Sequence, residues 1–376
     1  MHRQRAELAA ERVRNVLLAE RLATGPVAAV RALLAVQSQE HAFSRWTLGQ
    51  RLAGRPVEED VRRAVDDGLV VRTHVLRPTW HYVLAEDLRW LQDLTAERAL
   101  RASAGWFRNH GVDDAFLGRA REALHRALEG GRHSTREELR GALAAEGLDV
   151  SGQRMTIVMF DAEMRGLVCS GPLAGPHHTY ALVEERVPPT PRLEPEEATA
   201  RLLTRYLAGH GPATLKDLRW WCGLTLTQLR AAAEDLGDAL EREVVGGVEY
   251  LRLAGDPGPS DPSLVTVPAA PRFQLLQVFD ELFVGYSETR RLLDPDGEFG
   301  AVLETGFGEL AHVVVEGDRL AGRWRQDRRG KAVELTVQLT RPVSREDREA
   351  LEEAAARYGA FLGKETSVTV RTGPRG

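Results

Sequence analysis

An α+β protein built from several modules is what the sequence predicts, and three observations predict it. A group of helical patterns followed by a short two-stranded ribbon recurs three times between residues 1 and 254. Pro- and Gly-rich stretches punctuate these units, and beyond residue 262 the pattern changes to β-type runs accompanied by one helix. At 376 residues the chain also exceeds the usual size of a single hydrophobic core. Its 43% apolar residues are enough to form cores and its 28% charged residues enough to cover them, so the whole chain is expected to be globular.

In the first unit, residues 4 to 22 predict an amphipathic helix with Leu8, Val13, Val16, Leu17 and Leu22 on one broad face. Thr24-Gly25-Pro26 stops it, and Pro26, suited to a first helical position, opens a second helix over Val27 to Val36. Gln37-Ser38-Gln39 follows where that helix ends. A further helix over Glu58 to Asp67 is broken by Gly68, after which strands over Leu69 to Leu76 and Trp80 to Leu84 flank a turn at Arg77-Pro78-Thr79. A small helical bundle closed by a two-stranded ribbon is a winged helix, here assigned to residues 1 to 90.

The second unit, residues 91 to 187, repeats the order. Ser134-Thr135-Arg136-Glu137 reads as a capping box, a longer helix covers about 152 to 165, and the ribbon runs through Gly166 to Ser170 and His178 to Val183. The third, residues 192 to 254, has helix starts at Thr214-Leu215-Lys216-Asp217 and Thr225-Leu226-Thr227-Gln228. Its ribbon pairs Leu240 to Val245 with Val248 to Leu253 across Gly246-Gly247. Pro188-Pro189-Thr190-Pro191 and the stretch Gly255 to Pro262 act as linkers. The tail, 262 to 376, has strand-like runs at 311 to 315, 319 to 325, 332 to 340 and 366 to 371. A helix near 344 to 359 opens at Ser344-x-x-Asp347, so a β-rich, barrel-like domain is expected.

Composition narrows the function classes. No run of eighteen apolar residues and no secretory leader pattern is present, which predicts a cytoplasmic protein. Cys169 and Cys222 are the only cysteines and sit in apolar settings, as reduced buried thiols do. His133, His177 and His178 lack metal-ligand spacing, so neither a metal nor another cofactor is expected. The net charge of -5 argues against a nucleic-acid partner until its distribution is read. Residues 1 to 110 hold 17 Arg and 13 acidic residues, a net +4, while the remainder holds 33 basic and 42 acidic residues, a net -9. A basic field therefore lies on the N-terminal part.

Gln37-Ser38-Gln39 is the candidate reactive motif. Within a helix the two glutamines would point about 200° apart, whereas in extended backbone residues i and i+2 share a side. Acting together requires them to lie just past the helix end; the plain alternative is a pair of capping or solvent-facing glutamines. Arg72, His74, Arg77 and His81 on the ribbon are candidate DNA contacts, with Arg45 nearby for phosphate. Trp46, Trp80 and Tyr82 read as core residues, and Trp220-Trp221 as packing.

Together, Leu33-Leu34-Ala35-Val36-Gln37-Ser38-Gln39-Glu40, Arg45-Trp46 and Arg72-Thr73-His74-Val75-Leu76-Arg77-Pro78-Thr79-Trp80-His81-Tyr82-Val83 closely resemble the AlkZ and YcaQ family of winged-helix DNA glycosylases. Val278-Phe279-Asp280-Glu281-Leu282-Phe283-Val284-Gly285-Tyr286 and Ala321-Gly322-Arg323-Trp324-Arg325 resemble that family's C-terminal domain. The resemblance covers essentially the whole chain. It implies removal of N7-alkylated purines and unhooking of interstrand crosslinks, with Gln37 and Gln39 as the catalytic pair. The AlkZ branch, which this chain resembles most, is associated with self-protection against the crosslinking antibiotic azinomycin B. Duplex DNA carrying such lesions is then the partner, and the chain acts as a monomer.

An N7-alkylpurine is cationic and leaves as a neutral base, so the sugar cation is what needs stabilising and trapping by water. Amides can position that water without taking a proton. Gln39 can orient it and Gln37 can hold the water or the sugar, with Glu40 as the alternative base; the sequence leaves open which glutamine positions the water. A crosslinked base cannot swing fully into a closed pocket, so three winged helices and the tail are expected to form an open, C-shaped DNA cleft, with the ribbon at 70 to 83 inserted near the lesion. The rival class is a winged-helix transcriptional regulator without catalysis.

Overall fold

The structure is a computed structural model that describes residues 2–255, 262–299 and 312–373. In chain order the first part comprises α1 (His2–Asn15), β1 (Arg21–Ala23), α2 (Pro26–Leu33), β2 (Ala35–Gln37), α3 (His41–Gly49), α4 (Glu58–Asp66), β3 (Val70–Val75) and β4 (Arg77–Leu84). The next comprises α5 (Ala85–Asn109), α6 (Asp114–Leu128), β5 (Ser134–Thr135), α7 (Arg136–Ala145), α8 (Arg154–Met164), β6 (Val168–Ser170), β7 (Thr179–Leu182) and α9 (Val183–Arg186). Then follow α10 (Pro195–His210), α11 (Leu215–Cys222), α12 (Leu226–Asp235), β8 (Leu240–Val245), β9 (Val248–Leu253) and β10 (Leu264–Thr266). The tail has β11 (Phe273–Leu276), α13 (Glu281–Val284), β12 (His312–Glu316), β13 (Arg319–Arg329), β14 (Ala332–Leu339), α14 (Arg345–Leu362) and β15 (Glu365–Thr372). This is the mixed helix-and-sheet composition that the sequence predicts.

Two local differences bear on the site. The second helix ends at Leu33 instead of Val36, because Leu34 adopts a positive φ of 65° and the next three residues pair with β4 as a third strand. The ribbon reverses at Leu76, also at φ 65°, and not at Arg77-Pro78-Thr79. Thr95 of α5 accepts the Leu76 N–H at 3.2 Å, and Leu76 is buried. The second unit shows a smaller slip: Thr135, not Ser134, caps α7 reciprocally with Glu138, both residues lying in the short strand β5.

The sheets are small: β2-β4-β3, β5-β7-β6, β8-β9, β1-β10, and one five-stranded sheet in the order β11-β12-β13-β14-β15. That last sheet corrects the expectation of a barrel. Its pairs are antiparallel up to β14, and α14 then returns the chain so that β15 lies parallel to β14. Strands β11 and β15 are left as opposite edges, and no closed barrel forms among the described residues.

Apolar residues from distant segments share cores. Val16, Val30 and Trp46 of the N-terminal part pack in one cluster with Leu276, Trp324 and Phe361 of the tail. Trp46 and Trp324, each buried, donate their indole N–H to the neighbouring carbonyls of Leu275 and Leu276 at 2.8 and 2.9 Å. A second cluster joins the first ribbon to α10, α11 and α12, and a third is confined to residues between Ala99 and Leu182.

Polar anchors reinforce this union. Fully buried Arg51 holds Asp280 through two bonds of 2.7 and 2.9 Å, and Asp280 also accepts the N–H of Leu282 at the start of α13. Removing one partner strands the other charge in the core, so Asp280→Ala is expected to cost roughly 3–5 kcal/mol by chemical denaturation. Adding Arg51→Met should restore part of that loss; a double variant no more stable than the single one would assign the loss to something other than the stranded guanidinium.

Candidate active site

Gln37 is the last residue of β2 and lies opposite His81 of β4, with Val36 opposite Tyr82 and Ala35 opposite Val83. The ladder continues one step, Ser38 donating its N–H to the Trp80 carbonyl at 2.7 Å. The Ser38 carbonyl is taken by Arg72 at 2.9 and 3.2 Å, so the Trp80 N–H turns to the Gln39 side chain, 3.2 Å from Oε1. Both glutamines therefore engage β4 and neither sits in a helix.

Each amide has a chemically determined orientation. Gln37 Oε1 accepts from Arg77 Nη2 at 2.7 Å, and Gln39 Oε1 accepts a main-chain N–H. A guanidinium and a peptide N–H can only donate, so the carbonyl oxygen must face them and the two NH2 groups face away. Each oxygen retains a second lone pair for a water hydrogen. Gln37 is buried, whereas Gln39 is partly exposed.

Behind Gln37 lies a carboxylate from the other end of the chain. Glu281 Oε1 accepts the Gln37 N–H at 2.5 Å, and Oε2 accepts Trp221 Nε1 at 3.0 Å and His210 Nε2 at 3.2 Å. Burial raises the pKa of this carboxyl, but the His210 hydrogen bond and charge, His81 and the Gln37 N–H outweigh it, and the net shift is downward. Glu281 is thus an ionised anchor with its lone pairs committed. His81, on the same sheet face as Gln37, is fully buried. Its pKa is pushed down to about 3 by burial and by Arg77, so it is neutral; Nδ1 donates to the Thr79 carbonyl at 2.9 Å and Nε2 has no partner.

A family model for DNA glycosylase AlkZ-like proteins matches residues 30–361. The chain belongs to the AlkZ-like DNA glycosylase family. An interstrand DNA cross-link repair glycosylase of Streptomyces sahachiroi is 27% identical over 308 residues, covering 78% of this chain and 80% of that protein. The solved structure of Streptomyces sahachiroi DNA glycosylase AlkZ aligns with a TM-score of 0.78 at 25% identity, covering 97% of this chain and 99% of that one.

In this AlkZ-like chain the residues expected to contact DNA fall into two groups. Arg72, His74 and His81 are buried in the ribbon, whose strand β3 is covered on both faces. Arg72 lies 4.6 Å from the Trp80 ring centroid, His74 Nδ1 meets the fully buried Glu163 of α8, and Trp80 Nε1 donates to the same carboxylate at 3.2 Å. The expected row of phosphate contacts is here an internal network linking the ribbon to α8, and the reversal of the ribbon at Leu76 is buried while Pro78 is exposed. Arg77 is turned to Gln37, its pKa lowered to about 10 by burial. Arg45 keeps a partly exposed guanidinium, bonded to Glu58 at 2.8 Å and to His41 at 3.4 Å.

His41 is pushed down to about 4 by burial and by the charges of Arg72 and Arg45, while burial alone raises Glu40. Tyr82 and Trp46 are core residues as expected, and Trp80 is partly buried in the network. Trp221 is fully buried, but Trp220 is 39% exposed and is not simply packing. Among the described residues no cluster of three metal-binding side chains exists.

Glu281, His210 and Glu163 were not legible as site residues. A usable signal existed for two of them: carboxylates inside apolar runs, Asp280-Glu281 within Val278 to Val284 and Glu163 within Ile157 to Met164.

His81 makes stability depend on pH. An unfolded histidine titrates near 6.5, so below that pH the unfolded chain binds a proton that the folded chain refuses, and stability falls as pH drops toward 3. By pH 5 the loss is about 2 kcal/mol from this residue. His81→Asn is expected to shrink the difference in unfolding free energy between pH 7 and pH 5; an unchanged difference would mean that His81 is not held neutral.

Proposed function

We propose that the chain is a monofunctional DNA glycosylase that hydrolyses the N-glycosidic bond of cationic N7-alkylpurines and unhooks interstrand crosslinks of the azinomycin B type. The reading serves DNA repair and self-resistance by a monomer in the cytoplasm. The observation that carries it is the pair of anchored amides at Gln37 and Gln39, set beside an ionised but fully engaged Glu281. Family membership supports the reaction class, and similarity to the interstrand DNA cross-link repair glycosylase of Streptomyces sahachiroi supports the crosslink.

The chemistry follows from what the site offers. An N7-alkylated purine carries positive charge and needs no proton to depart as a neutral base. The rate then rests on placing a water beneath C1′ as the sugar cation develops. Gln39, with the more accessible amide and one unshared lone pair on Oε1, orients that water. Gln37, its carbonyl fixed by Arg77 and its main chain by Glu281, holds the water or the sugar edge. Neither amide accepts a proton, so the water is deprotonated only as it bonds to the cation. Glu40, partly buried with a raised pKa, is the alternative base, but residues adjacent to each other in extended chain project to opposite sides.

We further propose that residues 1–90, 91–187 and 192–254 act as winged helices and, with the tail from 262 to 376, line an open C-shaped cleft around the duplex. Three sheets preceded by helices and a tail sharing its core with the N-terminal part support it. Arg45 supplies a phosphate contact at its edge.

Release of modified base from duplex DNA containing N7-methylguanine tests the reading. The Gln37→Ala, Gln39→Ala double variant is expected to lose roughly 10²–10³-fold in single-turnover rate, as removal of transition-state positioning groups does. Equal release by the two proteins rules out the assignment, and loss of the same size in Glu40→Gln would transfer the role of base to Glu40. Uncharged lesions such as hypoxanthine should be released at least an order of magnitude more slowly, since the amides offer their leaving group no proton. The chain has only three lysines, Lys216, Lys331 and Lys364. Borohydride treatment during turnover should trap no covalent DNA adduct; an adduct at Lys216 would show lyase chemistry.

A further inference from the structure

A cleft of about 780 Å³ opens beside Arg77, between the reversal of the first ribbon, α5 and α11. Its lining includes Arg77, Arg98, Lys216, Arg219, Trp220 and Glu288. Of these charges only Lys216 and Glu288 neutralise each other. Among the described residues no carboxylate is paired with Arg77, Arg98 or Arg219.

Arg77 forms the floor. Its Nη2 is spent on Gln37, its buried Nε has no partner, and its guanidinium lies 5.2 Å from the centre of the Trp220 ring. Arg290 lies 5.7 Å from the same ring, so this partly exposed indole is a wall that orients cations and not an open stacking platform. Arg98 and Arg219 are exposed at the rim. Gly223 keeps the cleft narrow: at φ 75° it lets the end of α11 abut the ribbon, where a Cβ would stand 3.3 Å from the Leu76 carbonyl.

Burial disfavours the Arg77 guanidinium and Arg290 repels it, with Glu281 as its main attraction. A bound anion relieves both terms, and a phosphodiester suits the planar donor fork of arginine. We propose that this cleft seats one phosphodiester of the DNA strand beside the lesion and that Arg77, bonded to Gln37, couples that occupancy to the catalytic amide. The choice of DNA as the source of the phosphate rests on the glycosylase reading. Arg77 is then a positioning residue: Nη1 meets the phosphate while Nη2 holds Gln37 Oε1, so correct seating of the strand and correct orientation of the amide become one event.

The test is the salt dependence of binding to an undamaged duplex, which needs no turnover. An Arg98→Ala, Arg219→Ala variant is expected to lower the slope of log affinity against log salt by about 0.9, the value for one phosphate contact. An Arg345→Ala, Arg348→Ala variant, which removes two exposed arginines of α14, serves as the charge-matched control. A slope for the double variant equal to that of the control overturns the proposal. Arg77→Lys keeps the charge but loses the fork, and is expected to lower kcat for N7-methylguanine release more than it raises KM; a change in KM alone overturns the coupling. Calorimetry with inorganic pyrophosphate separates the sources: tight binding to wild type with an unchanged duplex slope in the variant assigns the cleft to a free phosphate ligand and overturns the DNA assignment. Absence of base release by wild type would defeat the glycosylase reading, whereas the salt slope would still report on the cleft.

Discussion

The Glu281 carboxylate is the group on which the candidate site depends. A charge with no solvent must be met by donors, and Glu281 draws three, from the main chain of Gln37, the indole of Trp221 and the imidazole of His210. These come from the N-terminal ribbon and from the two helices α10 and α11. Beside it Asp280 performs the same service for Arg51, which in turn donates to the carbonyls of Val16 and Thr47. Two adjacent carboxylates in the tail thereby tie α1, α3, β2, α10 and α11 into one frame. The position of the glutamine pair is a consequence of that frame.

The ribbon adds a division of labour between its faces. On one face His81 and Gln37 sit side by side, with Arg77 reaching Gln37 and Glu281 close behind. On the other, Arg72, His74 and Trp80 gather against Glu163 of α8. Period-two alternation makes this separation automatic, since a one-residue slip would exchange the two sets and leave both carboxylates unmatched. His81 is kept neutral by burial and by the Arg77 guanidinium, so the electrostatics near Gln37 are set by Arg77 and Glu281 and not by a titrating imidazole.

Elements with local causes were readable in the chain. Helix starts at Thr214, Thr225 and Ser344 fall where hydroxyl and carboxylate or amide residues three apart predict them, because a capping box is made within one turn. The ribbon over β3 and β4, the sheet change in the tail and the membership suggested by the Gln-x-Gln context were readable for the same reason. The end of α2 was not: Val36 continues an apolar helical pattern, and only pairing with Tyr82, forty-six residues later, makes it a strand. The barrel-like tail failed similarly, since a run of strands does not say whether its edges meet.

The sequence by itself determined the mixed helix-and-strand character, the caps, the ribbon and the family to which the chain belongs, all of which are written in spacings of a few residues. Tertiary structure alone decided which charges are buried and what they hold. Gln37 and Glu281 are 244 residues apart, and Arg72, His74 and His81 have the composition of a DNA-facing row while being enclosed on both sides. Exposure is a property of what packs against a strand, and no local period encodes the packing partner. That is why the same polar residues that mark a functional ribbon in the sequence become, once folded, the inner scaffold of the glutamine pair.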